Sequence, residues 1–428
     1  MNSSTHSASL FLSNLAVRRA FYFLYFLLCF SSFLNGADIF PPMVAWALNK
    51  LIYLSAVGTF LAAILLLKPK ASIYGVVLLF IFAFYLLFFL SVSFVFDNAS
   101  EVIKQWVTKG LFWPLCVFAF IMAVDLYSVK SLLNPFLLSG LVLLFLSVGA
   151  YFGLPLKIYV GSTGLQMNAG ANASSLIMYS GVFANQNGFG AYLLSFIPVL
   201  MMAAAVSKRF LFRYFLYSCV IVSMLFVFLT VSRASILGVI LFFSIFAIHF
   251  RRSMLFPIWL IGVLLIVASS VSVFGDLYEF ILERFSSGSS SGRTVIWKDA
   301  FGKILDNPLY GVGDYKFNGL SAHNVYIDNM ASWGLIVFVL WLSLYLVAAF
   351  FSLYYIFRVP SKNKKIVAIS GASVLAILIH QIFETSINTP VHQVSVVLFL
   401  MIALVFRSAL GKSWFVKLRS VVRRSLST

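Results

Sequence analysis

Long apolar segments divide the sequence, and they constrain the possible folds more than any other feature. A helix needs about 20 residues to cross roughly 30 Å of hydrocarbon. Hydrophobic residues make up 62% of the 428 residues and charged residues 10%, too few polar side chains to cover a water-soluble surface. The sequence therefore predicts an all-α polytopic membrane protein of about 12 transmembrane helices, at residues 21–34, 51–67, 73–94, 106–124, 135–154, 187–206, 214–230, 234–250, 254–274, 334–357, 366–383 and 393–406.

The distribution of basic residues predicts which side of the membrane each loop faces. With the N-terminus inside, 20 of the 30 lysines and arginines fall on the cytoplasmic side, and of the 12 acidic residues only Asp125 does. The net charge of +18 thus indicates topology rather than nucleic-acid binding. The expected organisation begins with a cytoplasmic tail (residues 1–20) and nine spans (21–274). An outer loop (275–333), three further spans (334–406) and a basic cytoplasmic tail (407–428) follow. The first span has no evident cleavage site after it and is expected to stay as an anchor.

The outer loop at residues 275–333 is the longest polar segment, and loops of this length usually carry function. Its serine- and glycine-rich stretch at residues 286–292 predicts a flexible hinge. Residues 294–305 predict an amphipathic helix at the membrane surface, ended by Asn307-Pro308. Its apolar residues are expected near one side of that helix: Val295, Trp297, Phe301 and Ile304.

Several classes of chemistry lack their usual motifs. The chain has no GxxxxGK[ST] loop, Asp-x-Asp pair or HExxH motif, and its predicted spans contain no carboxylate near their centres. The cysteines are scattered in apolar segments and are expected to be core residues: Cys29, Cys116 and Cys219. We therefore predict neither a cofactor nor a metal ion, and expect any chemistry to use side chains of the outer face.

Two arginines and a histidine on the outer face are the candidate functional residues. Arg233 lies in a short turn near the hydrocarbon boundary, where its planar guanidinium could bind the phosphates of a lipid-linked diphosphate. Arg293 opens the predicted surface helix, whose N-terminal amides also attract anions. His323 precedes the tenth span and could take a proton from a sugar hydroxyl. The alternatives are a cap or membrane anchor for Arg233, a solvated loop residue for Arg293 and a simple hydrogen-bonding role for His323.

Five stretches within residues 185–404 resemble core motifs of the O-antigen ligase and polymerase superfamily: NQNGFGAYLLSFIPVL, TVSRASILGVILF, SGRTVIWKDAFGKILDNPLYGVGDYKF, AHNVYIDNMASWGLI and HQIFETSINTPVHQVSVVLFLMIAL. The ligase pattern has His, then Asn, Ser or Gln, nine residues, and Gly-x-x followed by Gly, Thr or Tyr. His323, Asn324 and Gly334 fit that pattern, and Val337 departs from it at the last position.

The resemblance implies a GT-C-like architecture and a metal-independent glycosyltransferase on the periplasmic face of the bacterial inner membrane. Its donor would be a glycan linked to undecaprenyl diphosphate. Arg233 and Arg293 would bind the diphosphate leaving group, and His323 would deprotonate or orient the acceptor hydroxyl. The supporting residues would be His380, Glu384 and Asn324.

The acceptor divides the enzyme hypothesis into two. An O-antigen ligase transfers the glycan to lipid A-core, and a polymerase transfers it to a second lipid-linked glycan. The spacing from His323 to Gly334 favours the ligase, and Val337 favours the polymerase. A transporter or flippase of lipid-linked sugars is the alternative of another class. Such proteins carry repeated halves and polar groups at the midplane of the membrane, and the sequence shows neither.

Overall fold

The computed structural model of the protein describes residues 3–66, 86, 88, 112–160, 165–168, 179–249, 293–313, 321–358, 364–387 and 392–409. This part of the chain is mostly helical. Its elements are α1 Ser3–Leu34, α2 Pro42–Leu66, α3 Phe112–Leu126, α4 Val129–Tyr151, β1 Lys157–Val160, β2 Leu165–Asn168, α5 Gln186–Val206, α6 Phe210–Leu229, α7 Arg233–His249, α8 Arg293–Asp306, α9 Val325–Arg358, α10 Lys364–His380 and α11 Gln393–Ala409.

Six of these helices are long and apolar enough to cross a membrane: α1, α2, α4, α5, α6 and α9. Four more are apolar but shorter: α3, α7, α10 and α11. Together they overlap ten of the 12 predicted spans. The other two, at residues 73–94 and 254–274, lie outside the described residues except for Leu86 and Phe88. The protein is a multi-pass membrane protein, and the span number and sidedness stay predictions.

Large apolar side chains on the outside of the bundle are consistent with a lipid environment. Phe23, Leu211 and Phe350 are 60%, 83% and 64% exposed. Such side chains cover wide areas of α6 and α9, where a water-soluble protein would place polar groups. In a bilayer they contact lipid tails.

Helix α10 is central in the described bundle, because it packs against α5, α7, α9 and α11. Its buried serines satisfy their hydroxyls within the helix: Ser370 donates to the carbonyl of Ile366 at 2.8 Å and Ser373 to that of Ile369 at 2.5 Å. This local bonding removes the cost of burying a hydroxyl in an apolar core. The helix ends at His380, which its packing partners bury almost completely.

Asp38, between α1 and α2, connects the start of the chain to the segment that leads into α5. Its Oδ2 accepts a hydrogen bond of 2.8 Å from the amide of Ala184, and its own amide donates to Val182 at 3.1 Å. Burial raises the pKa of the Asp38 carboxyl, and the bond from Ala184 opposes that rise. The Asp38 carbonyl also accepts from Tyr159 in β1, which pairs antiparallel with β2. The hairpin was not predicted, because its two four-residue strands sit in a loop without a marked alternating pattern.

Helix α8 matches the predicted surface helix in position but buries a different face. Ile296 and Ala300 are buried against Ala322, Ile327 and Ala331, with Trp297 and Ile304 beside them. Val295 and Phe301, predicted on the apolar side, are 58% and 47% exposed. The predicted grouping therefore holds for Trp297 and Ile304, and packing against the first part of α9 selects the face that also contains Ile296 and Ala300.

Candidate active site

A sharp kink at Gly334 divides α9 into a short outer part and a long apolar part. Gly334 has φ 72° and ψ 173°, and a Cβ there would lie 2.1 Å from the carbonyl oxygen of Leu309. The turn after α8 satisfies the backbone groups that the kink leaves unbonded: Leu335 donates to Pro308 at 2.7 Å, and Val312 donates to Ala331 at 2.8 Å. The tenth predicted span began at Gly334, and the structure adds a further helical segment before it.

Asn324 caps the outer part of α9. Its Oδ1 accepts from the amides of Tyr326 and Ile327 at 3.0 and 3.1 Å, which satisfies two donors that a helix start otherwise leaves without partners. The structure therefore gives Asn324 a specific structural role at the point where the ligase pattern places it.

His323 directly precedes this cap and is one of two non-glycine residues with positive φ in the described chain, at φ 50°. Its amide donates to Ser321 Oγ at 3.4 Å, and the residue is half-buried. A left-handed backbone at a histidine is sparsely populated and is commonly found at functional sites. The conformation is imposed from both sides, since Asn324 is fixed as a cap and Ala322 is held by its neighbours.

Two hydrogen bonds hold Ala322 between α8 and α9. Its amide donates to Asp328 Oδ1 at 2.7 Å, and its carbonyl accepts from Trp297 Nε1 at 2.8 Å. The first bond comes from α9 and the second from α8, so the segment before α9 is positioned by both helices. His323 therefore has a defined place relative to the start of α8.

The two candidate arginines are each the first residue of a helix, Arg233 of α7 and Arg293 of α8. They lie close enough for their charges to interact. Burial lowers the pKa of Arg293 most, the carboxylate of Glu384 opposes this effect, and the positive charge of Arg233 lowers the pKa further. Arg293 Nη1 also donates to the carbonyl of Phe383 at 3.2 Å. Two guanidinium groups and the positive ends of two helix dipoles are therefore gathered in one region.

Glu384 is the carboxylate of this region. Burial raises its pKa to about 7, and the positive charge of Arg293 opposes the rise. Its backbone carbonyl accepts from the amide of Val325 at 3.2 Å, and the carbonyl of Gln381 accepts from the same amide at 3.1 Å. The loop after α10 is thereby bound to the start of α9, two residues after His323.

His380 is buried below this loop and is part of a chain of polar side chains. Its Nε2 lies 3.3 Å from Ser235 Oγ, and its Nδ1 lies 3.1 Å from Gln381 Nε2. Ser235 Oγ is also 3.1 Å from Ser232 Oγ, and Gln381 Oε1 accepts from the amide of Ile387 at 3.1 Å. Gly190 on α5 permits this arrangement, because a Cβ at that position would lie 2.5 Å from Ser235 Oγ.

Residues 217–342 match the family model described as O-antigen ligase. This part of the chain belongs to the O-antigen ligase superfamily. The match covers less than a third of the 428 residues and includes Arg233, Arg293 and His323, whereas His380 and Glu384 lie beyond it. A search of curated proteins finds no match.

This match supports a membrane enzyme of the O-antigen ligase type. The superfamily implies lipid-linked glycans and acceptors of the lipid A-core type in general terms. Val337, which departs from the ligase pattern, occupies a core position, since its side chain is 1% exposed. It therefore changes the packing of the long apolar part of α9.

The structure brings Arg233, Arg293 and Glu384 into one electrostatic group, with His380 linked to α7 two residues after Arg233. It places the backbone of His323 on the adjoining segment. Ser235 and Gln381 were not among the predicted site residues. Their signal was present as polar residues beside Arg233 and His380 in an otherwise apolar chain. Among the residues that the structure describes, no group of three or more His, Cys, Asp or Glu side chains is placed to hold a metal ion.

Proposed function

We propose that this enzyme transfers a glycan from undecaprenyl diphosphate to an acceptor hydroxyl on the periplasmic face of the bacterial inner membrane, without a metal ion. The proposed reaction is the O-antigen ligase step of lipopolysaccharide synthesis, with lipid A-core as acceptor. The residues proposed to take part are Arg233, Arg293 and His323, with His380, Glu384 and Asn324 in support.

The observation that carries this proposal is the meeting of two helix starts, each opening with an arginine whose charge acts on the other. Bringing two guanidinium groups together costs free energy unless an anion lies between them. Among the described residues Glu384 supplies one carboxylate here, and burial raises its pKa to about 7. A diphosphate supplies the remaining negative charge, and the guanidinium fork matches its oxygens.

The transfer step needs a leaving group and a proton acceptor. The acceptor oxygen forms a bond to the anomeric carbon while the bond from this carbon to the phosphate oxygen breaks. The bonding electron pair leaves with the diphosphate, whose growing charge Arg233 and Arg293 stabilise. The hydroxyl proton passes to His323, because histidine is the side chain that most often accepts a proton in catalysis near neutral pH. Fixed arginines replace the divalent cation that many such reactions use.

The supporting residues maintain this geometry. Asn324 caps α9 and so fixes the residue next to His323. Glu384 interacts with the positive charge of Arg293. His380 connects α7 to the loop that carries Glu384. Each role follows from a contact of the described residues, and its effect on the reaction is part of the proposal.

Purified protein in lipid nanodiscs tests the proposal. The donor is a glycan on undecaprenyl diphosphate, and the acceptor is either lipid A-core or a second lipid-linked glycan. We expect transfer to lipid A-core, abolished in Arg233→Ala and unaffected in Lys298→Ala, an exposed cation of α8. Intact donor with transfer to neither acceptor contradicts the enzyme hypothesis. An Arg233→Ala protein that transfers at the wild-type rate contradicts the role of this arginine.

Val337 favours a second candidate function, polymerisation of repeat units, because it departs from the ligase pattern at a buried position. In the same assay a polymerase extends the lipid-linked glycan and leaves lipid A-core unmodified. The products of the two acceptor reactions, separated by mass, distinguish ligase from polymerase. A flippase yields neither product, and it is detected instead by movement of intact donor across the membrane of a sealed vesicle.

A further inference from the structure

The polar chain through His380 has a defined direction. Gln381 Oε1 accepts from the amide of Ile387, so the other end of this amide group, Nε2, faces His380 Nδ1. Nε2 of glutamine is only a donor. His380 Nδ1 must therefore accept, which leaves the imidazole proton on Nε2. That proton is donated to Ser235 Oγ, and the Ser235 hydroxyl can then donate to Ser232 Oγ.

This direction requires a neutral imidazole. A protonated His380 would carry a hydrogen on both ring nitrogens and would set Nδ1–H against the Nε2 donor of Gln381. Ser235 and Gln381 are fully buried and His380 is 1% exposed, so no solvent replaces the lost bond. The titratable group that faces His380 is His392, before α11. Burial lowers the pKa of His392 to about 4, so it adds no charge near neutral pH.

The two ends of this chain of polar side chains lie in the two elements that position Arg233 and Arg293. Ser232 and Ser235 belong to the start of α7 and flank Arg233. Gln381 belongs to the loop whose carbonyls accept from Arg293 and Val325 and which carries Glu384. A shift of about 1 Å between groups that must act together can cost about 100-fold in rate. A connection between these elements is therefore a determinant of how both arginines meet one ligand.

We propose that Ser235, His380 and Gln381 are positioning residues, which hold Arg233 in place relative to Arg293 and Glu384 through a neutral His380 that donates from Nε2. The inference rests on the proposed function, because its consequence is the binding of a diphosphate by both arginines. His380 does not act as a proton acceptor, since Nε2 carries the proton and Nδ1 receives the Gln381 donor. It transmits position alone.

Two substitutions test the chain from its two ends. Ser235→Ala removes the acceptor of the His380 proton. Gln381→Glu replaces the donor at Nδ1 by a carboxylate oxygen, which attracts a proton to Nδ1 and reverses the direction of the chain. The matched control is Ser223→Ala, a fully buried serine of α6 whose hydroxyl bonds only within its own helix, to Cys219 at 2.7 Å.

The measurements separate positioning from folding. In nanodiscs we expect Ser235→Ala to raise the donor KM and to weaken binding of undecaprenyl diphosphate by about tenfold or more. We expect the thermal midpoint of Ser235→Ala to equal that of Ser223→Ala. Histidine-selective ¹⁵N spectra of the wild type should show a neutral, Nε2-protonated His380 from pH 6 to 8. Gln381→Glu should shift the ¹⁵N signal of His380, and the same variant should have a lower kcat/KM.

The proposal is overturned by a Ser235→Ala protein whose donor KM and affinity equal those of Ser223→Ala, or by a wild-type His380 that carries its proton on Nδ1. Arg233→Ala separates this outcome from failure of the proposed function. If Arg233→Ala has lost transfer while Ser235→Ala is normal, only the positioning role fails. If both transfer normally, the proposed function fails as well.

Discussion

The guanidinium of Arg293 donates a hydrogen bond of 3.2 Å to the carbonyl of Phe383, which joins the first residue of α8 to the loop that carries Glu384. The same loop accepts from Val325 at the start of α9. Three elements distant in sequence therefore meet around one arginine. This junction makes the positions of the candidate catalytic residues depend on one another.

Replacement of Arg293 by lysine should impair transfer nearly as much as replacement by alanine. Lysine keeps the charge but lacks the planar guanidinium, which can donate to the Phe383 carbonyl and to phosphate oxygens at the same time. We expect kcat/KM to fall by about 100-fold, the usual effect of removing one donor that stabilises a leaving group. Initial rates of glycan transfer measure this, with Lys298→Ala as the control on the same helix. An Arg293→Lys enzyme with normal kcat/KM would show that charge alone suffices.

Donor binding should strengthen as the pH falls through about 7. The raised pKa of Glu384 means that its carboxyl is largely neutral at pH 6 and charged at pH 8. A charged Glu384 competes with the diphosphate for Arg293, so the anionic donor prefers the protonated form. Affinity for the donor, the glycan linked to undecaprenyl diphosphate, should therefore fall by up to about tenfold between pH 6 and pH 8.

Glu384→Gln provides the control for this pH dependence. The variant should bind this donor at pH 8 as tightly as the wild type does at pH 6, with little change between the two. Asp306→Asn, which removes an exposed carboxylate at the end of α8, should keep the wild-type dependence. Identical pH curves for the wild type and Glu384→Gln would assign the effect to another group.

His323→Asn should separate the chemistry of His323 from its backbone strain. Asparagine tolerates the left-handed conformation at φ 50° better than most residues, so the fold should be retained. Loss of the imidazole should lower kcat by about 100-fold or more if it acts as the proton acceptor. Thermal unfolding and single-turnover transfer are measured on the same sample. A normal rate in this variant removes His323 from the reaction.

Gly334→Ala should destabilise the protein by at least about 1–3 kcal/mol from its backbone conformation alone. The added Cβ would also lie 2.1 Å from the carbonyl of Leu309. Gly302→Ala is the matched control, because nothing lies within 4 Å of its Cβ position in α8. That change should instead stabilise the helix by about 0.5–1 kcal/mol. Thermal midpoints in detergent compare the two, and equal midpoints would mean that the kink is dispensable.

Asn324→Ala should cost about 1 kcal/mol through loss of the cap, and Asn324→Asp should restore most of it. Both amides that Asn324 caps follow it directly, so fraying there would free the neighbouring His323. The transfer rate of Asn324→Ala should therefore fall by more than its loss of thermal stability accounts for. A transfer rate that follows stability in both variants would confine Asn324 to a structural role.

Hydropathy along the chain was sufficient to predict a multi-pass helical membrane protein, because the transfer of a segment into lipid depends on that segment alone. Motif spacing was sufficient to locate the superfamily segment, and the roles of Arg233, Arg293 and His323 stay predictions. Other features depend on residues far apart in the sequence. Ser235 and His380 are 145 positions apart, and no local pattern indicates that they bond.

The tertiary structure decided which surface of α8 is buried, since α9 selects Ile296 over Val295. It decided that Arg233 of α7 comes near enough to Arg293 of α8 to affect its pKa, since α10 packs against α7 and α9 while α8 packs on α9. It also decided the direction of the His380 chain through the orientation of Gln381. Charge, polarity and segment length are properties of the sequence, whereas the pairing of charges is set by helix packing.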